Sequence, residues 1–211
     1  MINKTWIHRF DPARVAHLER ANYLAYYRRQ WFTLLRVSIA LVREAFGFTG
    51  LDGLRAAYLI ARAEIAFAPF PKNNPAQAEH YMRRFYAFLN ARRGSRIDVD
   101  RAARLDVRWW QIHRDHFAAD DFAPLSDALA DWLAEVYGLE REQVLEAARR
   151  RAYGILCSDR WVRDGMPEPS ALLDQEVLAL TASYEALLKA LPAGPASAPS
   201  QAAAGEVSAA R

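Results

Sequence analysis

The segment SALLDQEVLALTASYEALLKAL, from Ser170 to Leu191, places Leu173, Val177, Leu180, Tyr184, Leu187, Leu188 and Leu191 at steps of three and four residues. Steps of that size return to one side of a helix with 3.6 residues per turn, whereas a half-buried strand would alternate at every second position. Ser170 stands where an N-cap belongs, so the segment reads as one amphipathic helix.

The same spacing recurs upstream. Gly165-Met166-Pro167 interrupts the chain, and before it Val144, Leu145, Ala148, Ala152, Ile155 and Leu156 mark a helix beginning near Glu140. Leu125, Leu129, Trp132, Leu133 and Val136 mark another, from Pro124 to a stop at Gly138. A helix capped by Asp98 or Asp100 should run to about Phe117. It carries two arguable stripes, Ala102, Leu105, Trp109, Ile112, His116 and Val99, Asp106, Trp110, His113, Phe117. Asn74 caps a further helix with Pro75 at its first position and Gln77 placed as in a capping box; Ala78, Tyr81, Met82, Phe85 and Leu89 form its apolar face and Gly94 closes it.

Three prolines between Pro69 and Pro75 require a loop, because proline lacks the N–H that a helix interior uses. Before that loop Leu54, Ala57, Ala61, Glu64 and Ala68 share a face whose small side chains let a neighbour approach closely. At the start, Asp11-Pro12 is an N-cap with proline behind it. Leu18, Ala21, Tyr27, Trp31, Leu34, Leu35, Ser38, Leu41, Val42 and Ala45 continue a long helical face with a bend or break expected near Asn22. No stretch alternates with period two for long, and no repeat of fixed period occurs. The fold class is therefore all-α, a compact irregular bundle of about six to eight helices over residues 1–191. Residues 192–211, rich in Ala, Gly, Pro and Ser, read as a disordered, flexible tail.

Composition agrees with one globular domain. The 211 residues fit a single core, 52% are apolar, 25% charged and 12% aromatic, and six tryptophans supply large side chains. With 28 basic and 25 acidic residues the net charge is only +3, which gives no reason to expect nucleic acid. The lone Cys157 cannot form an internal disulfide and reads as a small buried hydrophobe. The first ten residues lack an uninterrupted apolar run, so a cytoplasmic location is the expectation. The most apolar stretch, Trp31 to Phe48, contains Arg36, Arg43 and Glu44, whereas a spanning helix wants about 20 apolar residues without such charges; no membrane span is expected, and the stretch reads as a buried core helix.

Chemistry could reside in several places. His113 and His116 stand three apart beside Trp109 and Trp110, a spacing that can aim both imidazoles at one metal, with Glu64 and His80 as further ligands from other helices. No Glu-x-x-His or His-Glu-x-x-His signature accompanies them. Glu64 on an Ala-rich face needs either a cation, such as Arg36 or Arg114, or a raised pKa. Arg29, Arg36 and Arg43 stand seven apart as a ridge, and Arg149-Arg150-Arg151 point in three directions around their helix. Tyr23, Tyr26 and Tyr27 with Trp31 could line a pocket for a flat apolar ligand. No dinucleotide fingerprint or phosphate loop is present.

The favoured functional reading is a cytoplasmic binding or protein-interaction module, with Tyr27, Trp31, Arg36, Glu64, Trp109, Trp110 and Arg114 as candidate ligand-binding residues. Its occupant would be a small molecule or a protein partner, and a homo-oligomer is compatible with the sequence. The alternative is a metal- or haem-dependent helical-bundle oxidoreductase using Glu64, His80, His113 and His116; only that reading needs a cofactor. It requires at least three of those four side chains to converge on one point.

Overall fold

The computed structural model describes residues 10–69 and 71–192. The tail expected from 192 onward lies, beyond its first residue, outside the described residues. All regular structure among them is helical: α1 (Pro12–Tyr27), α2 (Trp31–Phe46), α3 (Gly50–Phe67), α4 (Pro75–Arg93), α5 (Val99–Asp115), α6 (Ala123–Tyr137), α7 (Arg141–Arg163) and α8 (Ala171–Ala190). None of these helices is long and apolar enough to cross a membrane.

Local chemistry sets the boundaries. Asp11 accepts from the backbone N–H groups of Ala13 and Arg14, Asn74 from that of Gln77 and Asp98 from that of Arg101. Glu140 and Gln143 form a reciprocal capping box at the head of α7. Gly47, Gly94 and Gly138 end α2, α4 and α6 in the left-handed conformation, which costs glycine little because it has no Cβ.

The long first segment breaks at Arg28–Gln30 rather than near Asn22, because Arg29 turns to a φ of 55° and stops the helix after Tyr27. Arg29 is thus outside α2, and the expected ridge with Arg36 and Arg43 loses its first member. The stretch from Trp31 is not wholly buried either: α2 buries Leu34, Ser38 and Val42 and leaves Phe32 94% exposed. Leu54 likewise points outward, whereas Ala57 and Ala61 of the same expected face are buried. Cys157 is buried, as its isolation suggested.

Each helix packs mainly on its neighbours in the chain, and α8 packs back on α1. The eight helices therefore close into a cycle. At the seam the ring of Phe10 meets that of Tyr184 edge-on at 5.6 Å, and the broadest single contact is that of α7 with α8. There Gly154 removes a side chain where Leu180 arrives, since a Cβ at 154 would lie 3.2 Å from Leu180 Cγ.

Candidate functional site

A cycle of helices about 10 Å in diameter need not fill its own axis unless the inward side chains are large enough to meet. Here they leave a cavity of about 530 Å³, to which all eight helices contribute lining. Arg29 and Trp31, both exposed, belong to that lining, so the cavity opens to the surface at the α1–α2 break.

Helical periodicity delivers the walls. On α5, Asp106, Trp109, Trp110, His113, Arg114 and Phe117 border the cavity; they follow the offsets 0, 3, 4, 7, 8 and 11 of one face, with Phe117 just past the helix end. Tyr23, Tyr26 and Tyr27 do the same on α1, and Glu64 and Phe67 on α3. The rings brace one another: Tyr23 and Tyr27 are 4.8 Å apart between centroids, Phe67 and Trp110 5.5 Å, and Trp109 and Trp132 6.2 Å.

Polar groups interrupt this wall at four places. Asp106, buried on α5, accepts from Tyr86 Oη at 2.6 Å and from Trp109 Nε1 at 2.9 Å, and Trp132 Nε1 donates in turn to Tyr86 Oη at 2.8 Å. Burial pushes the Asp106 carboxyl up to about 6, against the pull of Tyr86, Trp109 and the more distant Arg151. The phenol of Tyr86 is pushed well above its ordinary range by burial and by Asp106, so it remains a donor.

Arg151 pairs with Glu19 at 2.6 Å and donates to Tyr184 Oη at 3.0 Å, while Tyr184 donates to the other oxygen of Glu19. The guanidinium carbon lies 5.2 Å from the Trp132 ring and 5.8 Å from that of Trp109. Burial works against its charge, but Glu19 and the surrounding tyrosines outweigh that and raise its pKa, so Arg151 is fixed as a cation with its counterion beside it.

The third group joins α1, α5 and α7. Oδ1 of buried Asp159 accepts from Tyr23 Oη at 2.7 Å and lies 2.7 Å from His113 Nε2, and the Tyr23 and Tyr27 hydroxyls are 3.2 Å apart. Beside it Arg114 donates to the Phe67 carbonyl at 2.7 Å and to Tyr26 Oη at 3.1 Å, its guanidinium 4.1 Å above the Phe67 ring.

Glu64 is the fourth, and it differs from the rest. Its Oε2 is out of contact with water and has no hydrogen-bond partner, and no described basic residue forms an ion pair with it. Burial, helped by the charge of Asp106, pushes its carboxyl up to about 8. Of the two cations considered for it from sequence, Arg36 is exposed on α2 and does not border the cavity, and Arg114 is bonded to Phe67 and Tyr26.

Six of the seven candidate ligand-binding residues, Tyr27, Trp31, Glu64, Trp109, Trp110 and Arg114, border this one cavity; Arg36 does not. The four candidate metal ligands do not come together. Glu64 and His113 reach the cavity, but His80 is exposed on α4 and His116 is exposed at the C-cap of α5. The three-residue spacing of His113 and His116 therefore does not carry both into the cavity: His116 falls to the side of the face that His113 and Phe117 share. Among the described residues no three His, Cys, Asp or Glu side chains are arranged to hold a metal ion.

Sequence reading passed over Glu19, Tyr86, Asp106, Trp132 and Arg151 as site residues. Only Asp106 carried a local signal, as an acid inside an apolar stripe. Compared with protein-family models, with curated proteins and with solved structures, the chain shows no match.

Proposed function

We propose that the chain is a ligand-binding protein that encloses one small, mostly planar molecule on the axis of its helical cycle. The observation that carries this reading is the composition of the open space: fourteen of the twenty-seven residues bordering the cavity are Phe, Tyr or Trp, against 12% of the whole chain. Aromatic residues alone would suit an ordinary core, but a core closes over them, and here roughly the volume that suits a drug-sized ligand stays open. Ring faces presented from several helices favour a flat partner that can stack or meet ring edges. The polar groups at fixed positions around the wall would orient it.

Isothermal titration calorimetry with naphthalen-2-ylmethanol, a neutral bicyclic molecule, tests this directly. Ala45 borders the cavity from α2, so Ala45→Phe should fill part of it. Saturable one-to-one binding to the wild type that disappears in Ala45→Phe is the expected result. Absence of binding to the wild type, or equal binding to both proteins, would count against an axial site.

A further inference from the structure

Of the carboxylates that border the cavity, only Glu64 has no counter-charge or hydrogen-bond donor among the described residues on its buried oxygen. Arg151 is balanced by Glu19. Asp106 is held by the Tyr86 hydroxyl and the Trp109 indole. Asp159, behind the wall, is met by Tyr23 and His113. Glu64 borders the open space with a buried oxygen that nothing in the described chain satisfies.

A buried polar atom without a partner is costly, and native interiors seldom keep one without a reason. We infer that Glu64 is the anchor for a protonated nitrogen, so that the molecule held in the cavity is a planar organic cation, an aryl-alkyl ammonium or an amidinium. This deepens the ligand-binding reading and rests on it. The surrounding wall suits the same charge, because the faces of Trp, Tyr and Phe rings attract a cation that has left water. An anionic ligand finds less: Arg151 keeps a buried Nε without a hydrogen bond, but its charge is already balanced by Glu19, Arg114 is engaged with Phe67 and Tyr26, and Arg29 stands exposed to water at the mouth. The second buried carboxylate, Asp106, adds to the preference for positive charge; burial first, and the charge of Asp106 after it, keep Glu64 from ionising readily in the empty cavity.

Three molecules of one shape separate the possibilities: naphthalen-2-ylmethylammonium, naphthalen-2-ylmethanol and 2-naphthoate, titrated by calorimetry into the wild type and into Glu64→Gln. The ammonium is expected to bind the wild type at least about tenfold more tightly than the alcohol, with the naphthoate weakest. In Glu64→Gln that preference should collapse while the alcohol still binds, which shows the cavity to be intact. Equal affinities for the three, tightest binding of the naphthoate, or a cation preference that survives Glu64→Gln would overturn the assignment of Glu64 and leave the axial site standing. If none of the three binds, the axial site itself fails and this inference with it.

Discussion

Tyr86 ties three helices together through one oxygen, donating to Asp106 of α5 and accepting from Trp132 of α6. Removing that oxygen leaves the half-buried indole N–H of Trp132 without its acceptor and takes from Asp106 the shorter of its two bonds. Tyr86→Phe is therefore expected to lower stability by about 1–3 kcal/mol in chemical denaturation, well beyond the usual effect of a single hydroxyl on a surface. Glu64 acts in the opposite sense. Its carboxyl is raised in the folded chain to about 8, chiefly by burial and then by Asp106, with the Tyr26 hydroxyl the other titrating group that feels it. The folded state therefore holds a proton that the unfolded state releases, and stability present below the ordinary carboxyl range is lost as pH rises to about 8. Glu176, also raised to about 8 by burial, contributes in the same window, and Asp106, raised to about 6, at its lower end. Melting temperatures measured from pH 5 to 8 should fall for the wild type and fall less for Glu64→Gln, which should be the more stable of the two at the alkaline end. A steeper decline in the variant would mean that the folded chain does not hold the Glu64 proton.

At the level of helices, the periodic faces were legible in sequence and the points of interruption were less so. Gly47, Gly94 and Gly138 announce helix ends because glycine adopts the left-handed conformation easily, whereas Arg29 adopts it without any residue-type signal. That one turn decides much. By separating α1 from α2 it puts Tyr27 and Trp31 on two different helices that both border the cavity, instead of on one continuous face. Arg151 was illegible for a related reason: in a run of three arginines every direction around α7 is represented, and only the position of α6 and α8 selects the one that turns inward. The same two neighbours fix Gly154. With Leu180 of α8 already at the distance of a tight contact from where a Cβ would stand, Gly154→Leu must push α8 away from α7, and overpacking of this kind costs about 1–3 kcal/mol. A denaturation midpoint unchanged by Gly154→Leu would mean that α7 and α8 are not held as closely as described.

For the whole molecule, what sequence could not supply was closure. Glu64 stood out as an acid among alanines, but whether it meets Arg36, Arg114 or open space depends on how the helices arrange themselves around an axis, and no local pattern encodes that. Closure of α8 onto α1 also gives the cavity its thermodynamic role. Side chains around an open space lack partner atoms on one side, so the empty protein forgoes dispersion contacts that either a ligand or a larger side chain can restore. Two consequences should appear in one thermal experiment. Ala45→Phe, which grows into the space from α2, is expected to raise the melting temperature of the unliganded protein, by roughly 0.5–2 kcal/mol of added stability. Naphthalen-2-ylmethylammonium at about 100 times its Kd should stabilise the wild type by about 2.7 kcal/mol, or roughly 5–10 °C for a domain of this size, because it binds the folded state alone. The two effects compete for the same volume, so they should not add: the ligand's shift should vanish in Ala45→Phe. Full additivity would place the ligand somewhere other than the axis of the helical cycle.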